Sequence, residues 1–255
     1  MNTYEDRIRK LAALLSTHSR IVFFGGAGVS TESDIPDFRG SGGIYRRPRQ
    51  SPWSAEEMLS HHFYLEHPKE FFDNYKEREG FMRDVSPNRA HYALARLEEK
   101  GRLAAVVTQN IDGLHQRAGS RRVYELHGSV HRNYCTECRA FFDIDSFIAL
   151  CTPIPHCPQC GGIIKPDVVL YEESLDTDVL TDAVDAIRDA DLLIIGGTSL
   201  VVYPAAGLIR EYRGEQIVLI NRDPTPGDRY ANLLFHESIG DVLEKSVALL
   251  SPPTA

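Results

Sequence analysis

Two C-x-x-C knuckles, Cys135-Thr136-Glu137-Cys138 and Cys157-Pro158-Gln159-Cys160, stand with 18 residues between them. That spacing lets four thiolates surround one Zn2+ tetrahedrally and leaves no open position for a substrate water. A zinc held this way is structural. It contributes folding energy to a short segment with little core of its own. A redox pair or unbound thiols are the alternative. The fifth cysteine, Cys151, lies between the knuckles and is not expected to be a ligand. His131 and His156 are near enough in sequence to substitute, but four cysteines suffice.

A second group of residues could hold phosphate. Gly25-Gly26-Ala27-Gly28-Val29-Ser30-Thr31 directly follows an apolar run. Glycine lets the backbone approach a pyrophosphate, and a helix start presents free N–H groups. The usual dinucleotide fingerprint needs a third glycine where Thr31 stands. Alone, the loop has a second reading as a tight turn between strand and helix. A third group could move protons. Thr108-Gln109-Asn110-Ile111-Asp112-Gly113-Leu114-His115 ends another apolar run, and Glu125-Leu126-His127-Gly128-Ser129 comes soon after. Asn110 can donate to and accept from ribose hydroxyls or a water. Asp112 can accept from a carboxamide NH2. His127 titrates near neutrality, so it can take a proton from a hydroxyl and return it. Taken singly, any of the ten histidines could be a hydrogen-bonded structural residue, and His115 is read so.

These residues need strands and helices to position them. The runs 21–24, 104–107, 192–195 and 217–220 are apolar throughout, as parallel strands covered on both faces must be, with 168–170 a shorter candidate. Helical stripes alternate with them: Tyr4, Ile8, Leu11, Ala12 and Leu15 behind a Thr3/Asp6 cap, then Ala90, Ala93, Leu94 and Leu97, then Leu180, Ala183, Val184 and Ile187. The pattern predicts an α/β fold, a Rossmann-like parallel sheet with helices on both faces. Two segments break the rhythm: 41–88, rich in aromatics, charges and proline, and 131–164, which holds all the cysteines. The expected division is a Rossmann-like domain over 1–44, 89–130 and 165–255, a helical insertion over 45–88 and a zinc-binding module over 131–164. A ligand site belongs beyond the carboxyl ends of the strands.

Three separated blocks carry a family resemblance. Residues 26–39, Gly26 to Arg39, resemble the sirtuin signature loop, with Asp34 where that family usually has glycine. The runs 108–115 and 125–129 match sirtuin motifs residue for residue. The likeness extends from about residue 5 to 245. It implies that Gly26, Ala27 and Thr31 lie along NAD, that Phe38 shields the reacting ribose and that Arg39 holds the loop and phosphates. It puts Gln109, Asn110, Ile111, Asp112 and His127 around the nicotinamide ribose. Asn110 and His127 are its catalytic residues. Gly197, Thr198 and Ser199 resemble a second phosphate and ribose contact, Asn221 the adenosine contact, and Ser238-Ile239-Gly240-Asp241 a loop over adenine. Each of those three could be only a cap or turn. Val168, Val169 and Tyr171 resemble the acyl-lysine cleft, where exposed backbone could pair with an extended peptide. Many relatives carry Phe-Gly-Glu where this chain has Tyr171-Glu172-Glu173.

The implied reaction is NAD-dependent removal of acetyl or short acyl groups from protein lysines, with release of nicotinamide and O-acyl-ADP-ribose. NAD is consumed as a co-substrate, and one Zn2+ per chain is structural. Mono-ADP-ribosyl transfer and a non-catalytic NAD or ADP-ribose sensor are the alternatives. Relatives that favour acidic acyl groups carry a Tyr-x-x-Arg pair. Tyr75-Lys76-Glu77-Arg78 satisfies that pattern, but its register relative to Pro87-Asn88 favours an exposed helix face and uncharged acyl groups. Acylated lysine peptides and proteins are the expected partners. A formal net charge of −8 argues against nucleic acid. No run approaches the roughly 18 apolar residues that span a membrane. The polar start Met1-Asn2-Thr3-Tyr4-Glu5-Asp6 predicts a cytoplasmic protein.

Overall fold

Apolar runs with no polar face become strands only inside a sheet covered on both sides, and this sheet is built from them. The computed structural model describes residues 3–38, 40, 43–44 and 51–250, the side chains of 78–81 excepted. In chain order the elements are α1 (Tyr4–Thr17), β1 (Ile21–Gly25), α2 (His61–Glu66), α3 (Pro68–Glu79), α4 (Arg89–Glu99), β2 (Leu103–Thr108), α5 (Leu114–Arg117) and β3 (Val123–Glu125). Then come β4 (Gly128–Cys135), β5 (Phe141–Phe142), α6 (Ile144–Leu150), β6 (Ile164–Val168), α7 (Thr177–Asp189), β7 (Leu192–Gly196), β8 (Ile217–Ile220), β9 (Leu233–Phe235) and α8 (Ile239–Ala248).

The main sheet has six parallel strands in the order β3-β2-β1-β7-β8-β9. Side chains alternate between its faces. Phe23 points to the face covered by α1, α4 and α8, among Ile8, Leu94 and Leu243. Val22 and Phe24 point to the face covered by α7, among Ala183 and Ile187. The helices are capped as their sequences dictate. The Thr3 hydroxyl accepts from the Asp6 N–H, and the Asp6 carboxylate accepts from the Thr3 N–H. From β1 the chain order runs one way through β2 and β3. From β7 it runs the other way through β8 and β9. The crevice at this reversal lies beyond the carboxyl ends of β1 and β7.

A second, antiparallel sheet has the order β5-β4-β6. It corrects the reading of 168–170 as a parallel strand. Val168 ends β6, and the Val169 N–H then donates to the His127 carbonyl. A three-residue run bounded by a polar lysine-proline-aspartate stretch cannot be told from the end of an antiparallel strand by hydropathy alone. The helices α2, α3 and α6 pack through Phe63, Phe71, Phe72, Tyr75 and Phe147. Cys135, Cys157 and Ile164 join that core, so the helical and cysteine-bearing segments share one apolar interior. Among the described residues no helix is long and apolar enough to cross a membrane.

Leu94 is fully buried between α4 and the sheet. Leu94→Ala should lower stability by about 2–5 kcal/mol, through lost burial and a residual cavity. The shift of the urea midpoint measures it.

Candidate active site

The ends of β1 and β7 meet as two interlocked glycine turns. The Gly26 N–H donates to the Gly196 carbonyl (3.3 Å) and the Gly28 N–H to the Gly197 carbonyl (2.8 Å). A Cβ on Gly28 would lie 2.8 Å from the Gly197 Cα, and Gly197 itself has φ +60. Neither turn has room for a side chain, so the glycines are needed for contact between the turns as well as for any phosphate. The chain then makes two short 3-10 turns, Ala27–Val29 and Thr31–Ser33, in place of the helix start expected there. Asp34 follows in the left-handed conformation, φ 64 and ψ 14. Aspartate is one of the few side chains that tolerate this backbone.

These turns border a cavity of about 1100 Å³. That is a little above the roughly 300–1,000 Å³ of most small-molecule sites. Gly26, Ala27, Thr31 and Phe38 line it from the first loop, and Gly197, Thr198, Ser199, Asn221 and Ile239 from the β7–β9 side. Gln109, Asn110, Ile111, Asp112 and His127 line it from the ends of β2 and β4, and Val168, Val169 and Tyr171 from the far side. Arg39 lies outside the described residues. The Gln109 side-chain amide donates to the Thr198 hydroxyl (3.1 Å) and ties the β2 end to the β7 end.

Asp112 is buried at the head of a short polar chain. The Ser30 hydroxyl donates to one carboxylate oxygen (2.7 Å) and the Leu114 N–H to the other (3.0 Å). The Asn110 amide donates to the Ser30 oxygen (3.0 Å). His127 Nδ1 lies 2.9 Å from the Gln109 carbonyl. A carbonyl only accepts, so Nδ1 carries the proton and Nε2 holds the free lone pair. Burial pushes the His127 pKa below the ordinary 6.5, and the bond to Gln109 opposes this only in part. At neutral pH the ring is an uncharged base. His115, expected to be structural, does not line the cavity. It packs 4.7 Å from His91, and burial drives both imidazoles down, His91 to about 4.

Sequence reasoning missed several lining residues. Ser30 carried no signal beyond its place in the loop, yet it links Asn110 to Asp112. Tyr75, expected on an exposed face, is buried against Phe71 and Phe147 and lines the cavity. The Arg78 side chain lies outside the described residues. The segment after β6 is strapped to the start of α2. The Tyr171 N–H donates to the Leu59 carbonyl, the His61 N–H to the Tyr171 carbonyl, and the His62 N–H to the Glu172 carboxylate (each 3.0 Å). Glu172 has φ 77, left-handed backbone that a non-glycine residue seldom adopts. The N–H groups of Val169, Leu170 and Tyr171 are all bonded within the chain, to His127, Glu173 and Leu59. A peptide pairing here would have to use carbonyls instead.

The four knuckle sulfurs all lie within 4.8 Å of one another, with Cys135 and Cys160 at 3.4 Å and Cys138 and Cys157 at 3.7 Å. Zinc with bonds of about 2.3 Å in a tetrahedron sets its sulfurs about 3.8 Å apart. The donor set and spacing fit that ion. The Cys138 N–H pulls the Cys135 thiol down, while hydrogen bonds with the neighbouring thiols push Cys160 up, so the four sulfurs titrate as one linked group. Cys151 Sγ turns to the Pro153 carbonyl (3.3 Å), His156 to the Gly161 carbonyl and His131 to the Asp112 carbonyl, so none of the three joins the cluster.

A doubly wound parallel sheet, glycine turns at its switch point and a neutral imidazole facing the same cavity define a dinucleotide-site α/β protein. The Sir2 family model matches residues 26–204. The chain belongs to the Sir2 family. An NAD-dependent protein deacetylase of Clostridium acetobutylicum is 56% identical over 239 residues, 94% of this chain and 97% of its own length. A solved structure of a Sir2 variant with deacetylated p53 peptide and 3′-O-acetyl ADP ribose is 38% identical with a TM-score of 0.86, covering 94% of this chain and 97% of that one. Another, of Sir2 with a p53 peptide and NAD+, has a TM-score of 0.84 at 38% identity over the same shares.

Cys157→Ser should leave a three-thiolate site. Zinc content by atomic absorption should fall well below one per chain, and thermal unfolding should begin earlier because the cysteine segment shares its core with α2, α3 and α6. Full zinc content in this variant would remove Cys157 from the ligand set.

Proposed function

We propose that this protein removes acetyl and other short uncharged acyl groups from protein lysines at the expense of NAD, releasing nicotinamide and O-acyl-ADP-ribose. The observation that carries the reading is His127. Its Nδ1–H is committed to a backbone carbonyl, and its ring is neutral and lines the same cavity as Asp112 and Val168. The relatives support it: one is named a deacetylase, and the solved neighbours hold an acetyl ADP ribose, NAD+ and p53 peptides.

NAD supplies an electrophilic ribose carbon and the hydroxyl that accepts the acyl group. Everything else is positioning and proton handling by the chain. The glycine turns with Thr31, Thr198 and Ser199 bind phosphate and ribose, and Asn221 and Ile239 take the adenosine end. Asp112, held by Ser30 and the Leu114 N–H, keeps acceptor capacity for a carboxamide NH2. Asn110 orients a ribose hydroxyl or water. His127 Nε2 takes the proton of the attacking hydroxyl. Phe38 and Ile111 exclude water from the reacting face, and Arg39 neutralises phosphate. Val168, Val169 and Tyr171 border the acyl-lysine. Cys135, Cys138, Cys157 and Cys160 hold one structural Zn2+. The proposed domain division keeps NAD on 1–44, 89–130 and 165–255, with 45–88 and 131–164 closing the acyl-lysine side. The proposed setting is the cytoplasm, where reducing conditions keep zinc thiolates intact. The proposed partners are acylated proteins rather than nucleic acid.

Mass spectrometry of acetyl-, butyryl- and succinyl-lysine peptides, with and without NAD, tests the reading. Acetyl loss only with NAD, alongside O-acetyl-ADP-ribose, is expected. ADP-ribosylated peptide instead would make this a transferase. His127→Ala should lower kcat by about 10²–10⁴ with NAD affinity nearly unchanged. In the wild type, His127 must be unprotonated to act, and its pKa is lowered. The acid limb of kcat/KM should therefore begin below pH 6.5. A limb above that value would assign it to another group.

A further inference from the structure

His131 stands four residues before Cys135, where sequence alone left it a possible zinc ligand. Its ring turns the other way. Nε2 lies 2.9 Å from the Asp112 carbonyl oxygen, and because a carbonyl only accepts, Nε2–H is the donor. The ring also packs against the turn after Asp112. A Cβ on Gly113, which has φ +68, would lie 2.7 Å from the His131 Cδ2.

This contact is the last of a series. Beyond β2 the polar loop has left the parallel ladder, and its carbonyls need other donors. His127 and the first part of β4 supply them. His127 Nδ1 donates to the Gln109 carbonyl (2.9 Å), the Val130 N–H to the Ile111 carbonyl (3.0 Å) and His131 Nε2 to the Asp112 carbonyl. The Asp112 carboxylate is aimed by Ser30 and the Leu114 N–H, but both bonds depend on where the Asp112–Gly113 peptide is held.

We propose that His131 is a positioning residue for the carboxamide-binding carboxylate of Asp112, setting affinity for NAD and for free nicotinamide. The proposal rests on the NAD-consuming reading above. It makes the stretch 127–135 a connection between the two sites: Cys135 enters the metal cluster at one end, and His127 and His131 fix the nicotinamide side at the other. Without the Nε2–H donor the 112–113 peptide is free to rotate, and the carboxylate loses its aim. The acyl-lysine side, bordered by Val168 and Tyr171, is untouched.

The test compares zinc-loaded His131→Phe, which keeps a ring against Gly113 but has no donor, with His131→Gln, whose amide still donates. Loss of one buried hydrogen bond and the aim it provides should raise the KM for NAD and the nicotinamide IC50 about five- to tenfold in His131→Phe. The KM for acetyl-lysine peptide and the zinc content should stay within about twofold of wild type, and His131→Gln should recover most of the loss. Calorimetric NAD binding is measured alongside turnover. A wild type that binds NAD without deacylating peptide would defeat the functional reading while leaving the His131 comparison intact. Wild-type NAD and nicotinamide affinities in His131→Phe, or equal losses in both variants, would reduce His131 to a packing residue.

Discussion

The Gly28 N–H bonded to the Gly197 carbonyl at 2.8 Å is the contact from which the rest of the site takes its position. It joins the ends of the two central strands at the point where strand order reverses. Backbone meets backbone there, with no side chain between. Moving either turn out by the width of a methyl group would widen the crevice and separate Gln109 from Thr198. The residues proposed to bind phosphate and those proposed to bind nicotinamide come from strands adjacent to this contact. Their spacing is a property of the sheet, and the loops only refine it.

The second constraint is the need to satisfy carbonyls that have left the ladder. The loop beyond β2 reaches into the cavity, where it cannot pair with a neighbouring strand. His127 and the start of β4 run beside it and donate four hydrogen bonds, two of them from the imidazoles of His127 and His131 and two to the Ile111 carbonyl from the Ser129 hydroxyl and the Val130 N–H. A chemical consequence follows for His127. Its Nδ1 is held in one tautomer, and burial, with no carboxylate partner among the described residues, keeps the ring uncharged. An imidazole paired with a carboxylate would have been pushed the other way. β4 begins directly after His127 and ends in Cys135, so one short stretch of chain joins the imidazole to the cysteine cluster.

The helical and cysteine-bearing segments depend on each other. Their aromatic core contains Cys135, Cys157 and Ile164 beside Phe63, Phe72 and Phe147. Neither segment buries enough apolar surface alone, since the cysteine segment offers two short strands and one two-turn helix. The metal and the aromatic cluster together hold this layer. Glu172 and Tyr171 then strap the chain leaving β6 onto α2 and form the side of the cavity proposed to take the acyl-lysine.

The sequence by itself determined the strands that are apolar on both faces, because hydropathy is enough when nothing polar intervenes: 21–24, 104–107, 192–195 and 217–220 are all in the parallel sheet. It also determined the helices with one apolar stripe and the four-cysteine set, whose spacing is a local property. The edge strands β3 and β9 were not legible. Each is three residues long, and the partner strand, rather than its own pattern, makes it a strand. The burial of Tyr75 depends on Phe71 and Phe147 closing over it, contacts no periodicity encodes. His131 was ambiguous because distance along the chain says nothing about which way a ring turns. Only the tertiary structure decided that it faces Asp112, because the carbonyl needing a donor belongs to a loop nineteen residues away in the chain.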